Sequence, residues 1–167
     1  TVGDRTIFDH ILQKAPEPHV LHTAGDLVEG DRAAVPVEAT YPTSYVAHAT
    51  TEPHTAVARF ENGRMTVWAS TQAPFSVKAA VAGRLGLPPE KVRIVTPYVG
   101  GGFGGKSAAP QAVEAARLAT ITGKPVQVVW DRSEEFFFDT FRPAAVVKIR
   151  SGLAADKRMC LWDYAVF

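Results

Sequence analysis

Cysteine is nearly absent from this chain. Cys160 is the only one in 167 residues, which excludes an internal disulfide and any cysteine-cluster metal site; a buried, inert thiol is the expectation. Long apolar runs are missing as well, and no stretch approaches the length that crosses a membrane. The opening residues, TVGDRTIFDH, carry neither a basic nor an apolar leader region, so no secretory signal is expected in this chain. Neither sign of charge is in excess, with 18 Lys and Arg against 17 Asp and Glu. These charges are scattered, which gives no electrostatic reason to expect nucleic acid or a membrane surface as a partner. Repeats and low-complexity tracts are lacking too. What remains is 46% apolar and 21% charged, the balance of a soluble globular protein and not of a disordered one. The length is one domain's worth, or a piece of a larger one, and suffices to bury a core.

Local patterns divide the chain. Residues 1–33 read as a loosely structured lead-in: TIFDHILQK has the spacing of one short helix, APEPH stops it, and GDLVEGDRAA is polar and glycine-rich. AVPVEATYPTSYVAH alternates and suits an extended strand. HTAVARF and MTVWAS flank Asn62-Gly63, a pair that accepts the positive φ values of a tight antiparallel hairpin. Pro74 opens a helix that Gly86 and Pro88 close, with Val77, Ala80, Val81 and Leu85 as its apolar face. KVRIVTPYV reads as a short strand, APQAVEAARLATITGKP as a second helix and VQVVW as another strand. SEEFFF reads as a helical turn capped by Ser133. AAVVKIRSG and RMCLWDYAVF form a terminal antiparallel pair, and the chain stops inside that last apolar pattern, so truncation at the C-terminus is expected. The resulting fold class is α+β, with a mixed and antiparallel sheet and two main helices.

Between the KVRIV strand and the second helix lies VGGGFGGKS, Val99 to Ser107. From Gly100 it satisfies both G-x-x-x-x-G-K-S and G-x-G-x-x-G. Read as a P-loop, its backbone N–H groups cradle phosphates while Lys106 and Ser107 reach the γ-phosphate and magnesium, with Asp131 ending a Walker B-like strand. Pro110 starts the helix too late for that, and the hairpins conflict with the parallel sheet such folds need. A dinucleotide fold needs an acidic residue about twenty positions on, and Asp131 is too distant. A ligand-free connection is the third reading. Five glycines surround one phenylalanine, and each costs chain entropy without adding packing, so something must approach that backbone closely.

TPYVGGGFGGK resembles the molybdopterin loop of the xanthine dehydrogenase/aldehyde oxidoreductase family, the molybdenum hydroxylases. WASTQAPFSVKAAVAGRLGLPPEKVRIV is similar to the family segment before that loop, with STQ at Ser70 to Gln72 in the place of its glutamine motif. YVAHATTEPHTAVARF and FRPAAVVKIRSGLAADKRMCLWDY resemble the segments on either side. The resemblance covers roughly four-fifths of the chain, from Val35 onward, more than a chance motif achieves. RPAA and the GL-A-D turn are most similar to bacterial two-subunit enzymes of the isoquinoline 1-oxidoreductase kind. Residues 34–167 are then the N-terminal part of a molybdopterin-binding domain.

In that family a molybdenum centre held by a dithiolene pterin hydroxylates a carbon, and electrons leave through iron–sulfur clusters. The resemblance therefore implies a molybdenum–molybdopterin cofactor in its cytosine dinucleotide form, in the full-length protein. It also implies an iron–sulfur small subunit, the remainder of the same large subunit, and a small-molecule substrate. The backbone of Phe103 and Gly104, flanked by Gly101, Gly102 and Gly105, matches the part that approaches the metal centre. Gln72 matches the catalytic glutamine whose neutral amide donates to an oxo group. No residue here is expected to ligate a metal. The family's glutamate base lies downstream of this region, so the chain holds part of an active site and is expected to be inactive alone. Two departures bear on substrate. Ser107 stands where purine-oxidising members have glutamate, and Val146 or Val147 where they have a substrate-binding arginine. Both argue against a purine and for an aldehyde or an uncharged N-heteroaromatic. Readings from other classes are a P-loop nucleotide hydrolase and a non-catalytic interaction scaffold.

Other clusters carry less chemistry. His48 and His54 flank Glu52, and His19 and His22 form an H-x-x-H pair, but a zinc site needs well-placed third and fourth ligands. EPH is expected to pack and hydrogen-bond beneath the glycine loop. Phe136 to Phe138 line a substrate funnel, pack in the core or form an exposed face. DRSEE reads as a solvated helix start.

Overall fold

The computed structural model describes residues 2, 3, 5–33 and 35–167. Positions 1, 4 and 34, the last of which opens the predicted 34–167 domain, lie outside the described residues. In chain order the elements begin with α1 (Ile7–Lys14), α2 (Leu27–Gly30), β1 (Val35–Thr43), β2 (Thr55–Glu61), β3 (Arg64–Ala69), α3 (Pro74–Leu85) and β4 (Val92–Val95). They continue with α4 (Pro110–Thr122), β5 (Val126–Val129), α5 (Arg132–Phe138), β6 (Ala145–Leu153) and β7 (Met159–Val166). Contacts divide the chain into two units. The first comprises the stretches up to Val46 and from Arg142 onward, the second Ala47–Phe141.

In the first unit β1, β6 and β7 form an antiparallel sheet in that order. The expected terminal pair is present, and β1 adds to its other side. The helix expected in TIFDHILQK is α1. GDLVEGDRAA, expected to be a polar loop, contains the single turn α2, because Asp26 Oδ1 accepts the Val28 N–H at 2.7 Å and caps it. Cys160 is exposed, not buried. Side chains alternate along a strand, and in β7 it is the neighbouring Leu161 that turns inward.

The second unit is a four-stranded mixed sheet in the order β4-β3-β2-β5. β2 and β3 pair antiparallel about Asn62 and Gly63, whose φ angles of 51° and 70° are those of a tight hairpin turn. α3 carries the chain from β3 across to β4, which pairs parallel to β3. β5 adds antiparallel to the other side of β2. The core lies between the sheet and α3 with α4: Ala56, Ala58, Met65, Val67 and Val92 meet Val77, Val81, Ala112, Ala115, Ala116 and Ala119. The buried stripe of α4 includes alanines at i, i+3, i+4 and i+7, and small side chains let the helix approach the alanines of β2 closely. Both helices end where expected, on Gly86 and Gly123 in left-handed conformation at φ 63° and 64°.

Two expectations change. The buried face of α3 contains Ala82 and leaves Ala80 exposed. At 100° per residue the Val77–Val81–Leu85 stripe drifts toward Ala82 and away from Ala80. The cap of α5 is Asp131 and not Ser133. Asp131 Oδ1 accepts the Glu134 N–H at 2.8 Å while Glu134 Oε2 accepts the Asp131 N–H at 2.8 Å, a reciprocal capping box. Asp131→Ala is expected to destabilise the chain by about 1 kcal/mol, read as a lowered urea midpoint against Ser133→Ala, which should leave it in place.

Topology gathers the chemistry. The C-terminal ends of β3, β4 and β5 and the start of β2 all lie at one end of the second sheet, as the pairings require. The connections leaving that end are Ser70–Ala73, 96–109 and the start of α5, with 47–54 entering it. Ends of this kind, rimmed by loops on a rigid scaffold, are where sites are built.

Candidate functional site

Three segments of the second unit interlock here. The glycine loop turns through Gly101 and Gly104 at φ 95° and 109°, with Phe103 at φ 52° between them, a backbone path that L side chains rarely adopt. It ends in a 3₁₀ turn at Gly105–Ser107. Close approach to the backbone, expected from the glycines, is made by the chain's own side chains. A Cβ on Gly100 would stand 2.5 Å from Glu52 Cβ, one on Gly102 2.4 Å from Gln72 Oε1, and one on Gly105 2.7 Å from His48 Nδ1.

Lys106 settles the P-loop reading. Its side chain is fully buried, and its ammonium donates to Glu52 Oε2 at 2.7 Å and to the Glu52 carbonyl at 2.8 Å. A phosphate-binding lysine must point outward from its loop; this one points into the protein. Asp131 caps α5 instead of closing a Walker B strand. The nucleotide-hydrolase alternative has no support in this geometry.

Glu52 Oε2 also accepts the Gly100 N–H at 2.7 Å. Burial alone would raise its pKa. The hydrogen bonds from Lys106 and Gly100, the Lys106 charge and a contribution from His54 together outweigh burial and hold the carboxyl below its ordinary value of 4.5. The folded chain therefore binds this proton less tightly than the unfolded chain. The carboxylate's stabilising contribution is complete above the ordinary value and is lost as pH falls through the lowered one. Below about pH 5 the urea midpoint is accordingly expected to fall more steeply in the parent than in Glu52→Gln; parallel curves would contradict this assignment.

Gln72 sits on the hook after β3. Its N–H donates to the Lys106 carbonyl at 3.0 Å, and the Thr71 hydroxyl donates to the same oxygen at 2.9 Å. The side chain of Gln72 accepts the Gly104 N–H through Oε1 at 2.9 Å. Because an N–H can only donate, this bond fixes which end of the amide is oxygen and leaves the NH₂ as a donor on an exposed residue. Gln111, fully buried on α4, backs the hook by donating to the Ser70 carbonyl at 3.4 Å. The loop N–H groups of Gly101, Gly102 and Phe103 make no hydrogen bond among the described residues. Phe103 is 75% exposed.

Behind the loop is a buried polar layer. His54, 1% exposed, donates its N–H to Glu135 Oε1 at 2.9 Å and its Nδ1–H to the same oxygen at 2.8 Å. Its Nε2 stands 3.3 Å from the Gly105 carbonyl, and its ring lies against Trp130 with centroids 4.9 Å apart. Arg132 pairs with Glu135 and donates to the Thr50 carbonyl. His48 Nδ1 is 3.4 Å from Asp139 Oδ2. EPH thus lies beneath the loop as expected.

The predicted site residues Gln72, Gly101, Gly102, Phe103, Gly104 and Gly105 are brought together within this one cluster. Val146 and Val147 belong to β6 of the first unit. Phe136, Phe137 and Phe138 are 51%, 79% and 60% exposed in this chain, with Phe138 against Trp130 at 5.9 Å between ring centroids. No group of three or more His, Cys, Asp or Glu able to hold a metal occurs among the described residues, and no helix among them is long and apolar enough to cross a membrane. Sequence reasoning missed the Glu52–Lys106, His54–Glu135 and Arg132–Glu135 pairs. The Asp131-x-x-Glu134 spacing, a capping-box pattern that sets the start of α5 and so places Arg132 and Glu135, was a usable signal that the Ser133 reading passed over.

Comparison with known proteins agrees with this geometry. Residues 12–167 match the family described as the molybdopterin cofactor-binding domain. The chain is 38% identical over 121 residues to the aldehyde oxidoreductase molybdenum-binding subunit PaoC of Escherichia coli K12, covering 72% of this chain and 16% of that protein. It is 34% identical over 162 residues to the probable hypoxanthine oxidase XdhD of the same organism, covering 94% of this chain and 17% of that protein. In structure it is similar to quinoline 2-oxidoreductase from Pseudomonas putida 86, with a TM-score of 0.74 and 26% identity, over 84% of this chain and 18% of that one. The chain spans about one sixth of the length of these proteins. With the family match running over residues 12–167, this chain belongs to the molybdopterin cofactor-binding domain family of the molybdenum hydroxylases.

Proposed function

We propose that the chain is part of the large, molybdenum-cofactor-binding subunit of an oxidoreductase that hydroxylates an aldehyde or an uncharged N-heteroaromatic. The observation that carries this is the Gln72 amide, held through Oε1 by the Gly104 N–H with its NH₂ left as a donor, beside the loop N–H groups of Gly101, Gly102 and Phe103, which make no hydrogen bond among the described residues. These residues fit the group. Oxo and dithiolene ligands carry negative charge, accept hydrogen bonds, and need donors not screened by side chains, which glycine N–H groups and a neutral amide supply. When bound, the molybdenum–molybdopterin group supplies the two-electron oxidation.

The chain's own residues bind and orient. Gly101, Gly102 and Phe103 would hold the cofactor's anionic ligands through their backbone N–H groups, and Gln72 would donate from Nε2. The Gly104 N–H holds Gln72 instead of facing the ligand directly. Lys106 and Glu52 lie on the inner side of the loop, where they fix its ends. The cytosine dinucleotide form of the cofactor, a small subunit bearing iron–sulfur clusters, and the downstream remainder of the large subunit complete the proposal. Residues 34–167 form the N-terminal part of the cofactor domain and 1–33 a lead-in.

Ser107 supports an uncharged substrate, although one relative is named for hypoxanthine oxidation. The test is oxidation by the full-length protein with an artificial electron acceptor. Aldehydes or azaarenes such as quinoline are expected to be turned over, with activity lost in Gln72→Ala. Turnover of hypoxanthine alone would overturn the substrate class.

A further inference from the structure

Lys106 is where the three segments meet. Its buried ammonium holds Glu52 twice, at 2.7 and 2.8 Å, and Glu52 holds the Gly100 N–H at 2.7 Å. Its carbonyl takes the Gln72 N–H at 3.0 Å and the Thr71 hydroxyl at 2.9 Å. One carboxylate therefore ties the loop's first glycine to its terminal lysine, and one carbonyl ties on the hook that carries Gln72. The N–H groups of Gly101, Gly102 and Phe103, without a hydrogen bond among the described residues, lie on the backbone between those two anchors.

We propose that Lys106 and Glu52 are a positioning pair for the cofactor loop, neutralising each other beneath it and setting where the free N–H groups and the Gln72 amide stand. This rests on the cofactor reading above. It also gives Lys106 a role opposite to the one its G-x-x-x-x-G-K-S setting implies: it binds a carboxylate inside the protein and no phosphate outside it.

Charge makes the proposal directional. Lys106→Met leaves the Glu52 carboxylate uncompensated next to Gly100, so an anionic group approaching the adjacent N–H groups is repelled. Glu52→Gln keeps an oxygen able to accept from both Gly100 and Lys106 but leaves the ammonium uncompensated, which attracts an anionic group and favours the reduced metal. The double variant restores neutrality without the ion pair.

The experiment uses the full-length protein produced in a cofactor-competent host, with molybdenum per chain, the reduction potential of the bound molybdenum and the thermal midpoint measured for each form. Molybdenum content is expected to fall about tenfold in Lys106→Met and to stay within about twofold of the parent in Glu52→Gln, magnitudes typical of groups that act through a metal site's ligands. The molybdenum potential is expected to rise in Glu52→Gln and to return toward the parent's in the double variant, whose metal content recovers only in part because the tie from Lys106 to Glu52 is still missing. Should Lys106→Met fail to fold, Glu52→Gln and the double variant decide alone. An unchanged potential in both, or metal content that merely follows the thermal midpoint, overturns the positioning pair. A parent protein without molybdenum overturns the cofactor reading itself and is recognised before any variant is made.

Discussion

Gly102→Ala is expected to lower turnover of the full-length, molybdenum-loaded protein about 100-fold, the scale on which loss of one placed donor is felt, while moving its thermal midpoint by no more than a few degrees. A Cβ at this position would stand 2.4, 2.5 and 2.8 Å from Gln72 Oε1, Cδ and Cγ. Gln72 is exposed, so its side chain can swing away and the fold yields little stability. The swing breaks the 2.9 Å bond from the Gly104 N–H, the bond that fixes the direction of the amide among the described residues. The matched control is Gly83→Ala on α3, where an added Cβ meets nothing within 4 Å. Alanine is the better helix former there by about 0.5–1 kcal/mol, so the control should be slightly more stable and fully active. Parent-like turnover in Gly102→Ala would mean that the position of Gln72 does not matter to the chemistry.

Glu135→Ala is expected to have the opposite profile, a large loss of stability. Its carboxylate is 3% exposed and accepts both N–H groups of His54 while pairing with Arg132. Truncation leaves a buried backbone donor and a buried imidazole donor unpaired, and removes the countercharge of a guanidinium. Breaking a buried pair from one side costs about 3–5 kcal/mol. With a urea slope of about 2 kcal/mol per molar, that is a midpoint lowered by roughly 1.5–2.5 M. Glu135→Gln, which retains one acceptor oxygen for His54, should lose less than half as much. A midpoint shift in Glu135→Ala no larger than that of Asp131→Ala would show that this layer contributes nothing beyond capping α5.

Features governed by neighbouring residues were legible in the sequence. Asn62-Gly63 announces its hairpin because the two positive φ values are a property of those residues alone. The starts of α3 and α4 at proline and their ends at glycine are equally local. The loop itself was legible as unusual, but not the reason for its glycines at 100, 102 and 105. Those are set by Glu52, Gln72 and His48, which lie 30 to 57 positions earlier along the chain, and no spacing rule links them to the loop. Lys106 shows the same limit. The pattern around it is that of a phosphate-binding lysine, and only the fold, by bringing Glu52 under the loop, turns it inward. Cys160 and Ala80 illustrate a smaller failure: composition says that a residue type is often buried, but the side it faces depends on the phase of its strand or helix. The capping box at Asp131 was present in the sequence and masked by a serine two residues on.

VGGGFGGKS is proposed as a backbone surface for a molybdenum cofactor and not as a phosphate cradle. Its most direct test is the metal content of the full-length protein purified from a molybdenum-replete, cofactor-competent host, measured alongside magnesium-dependent ATP binding. Stoichiometric molybdenum with no ATP binding is the expected result. A molybdenum-free protein that binds magnesium–ATP tightly, and loses that binding in Lys106→Ala, would contradict it.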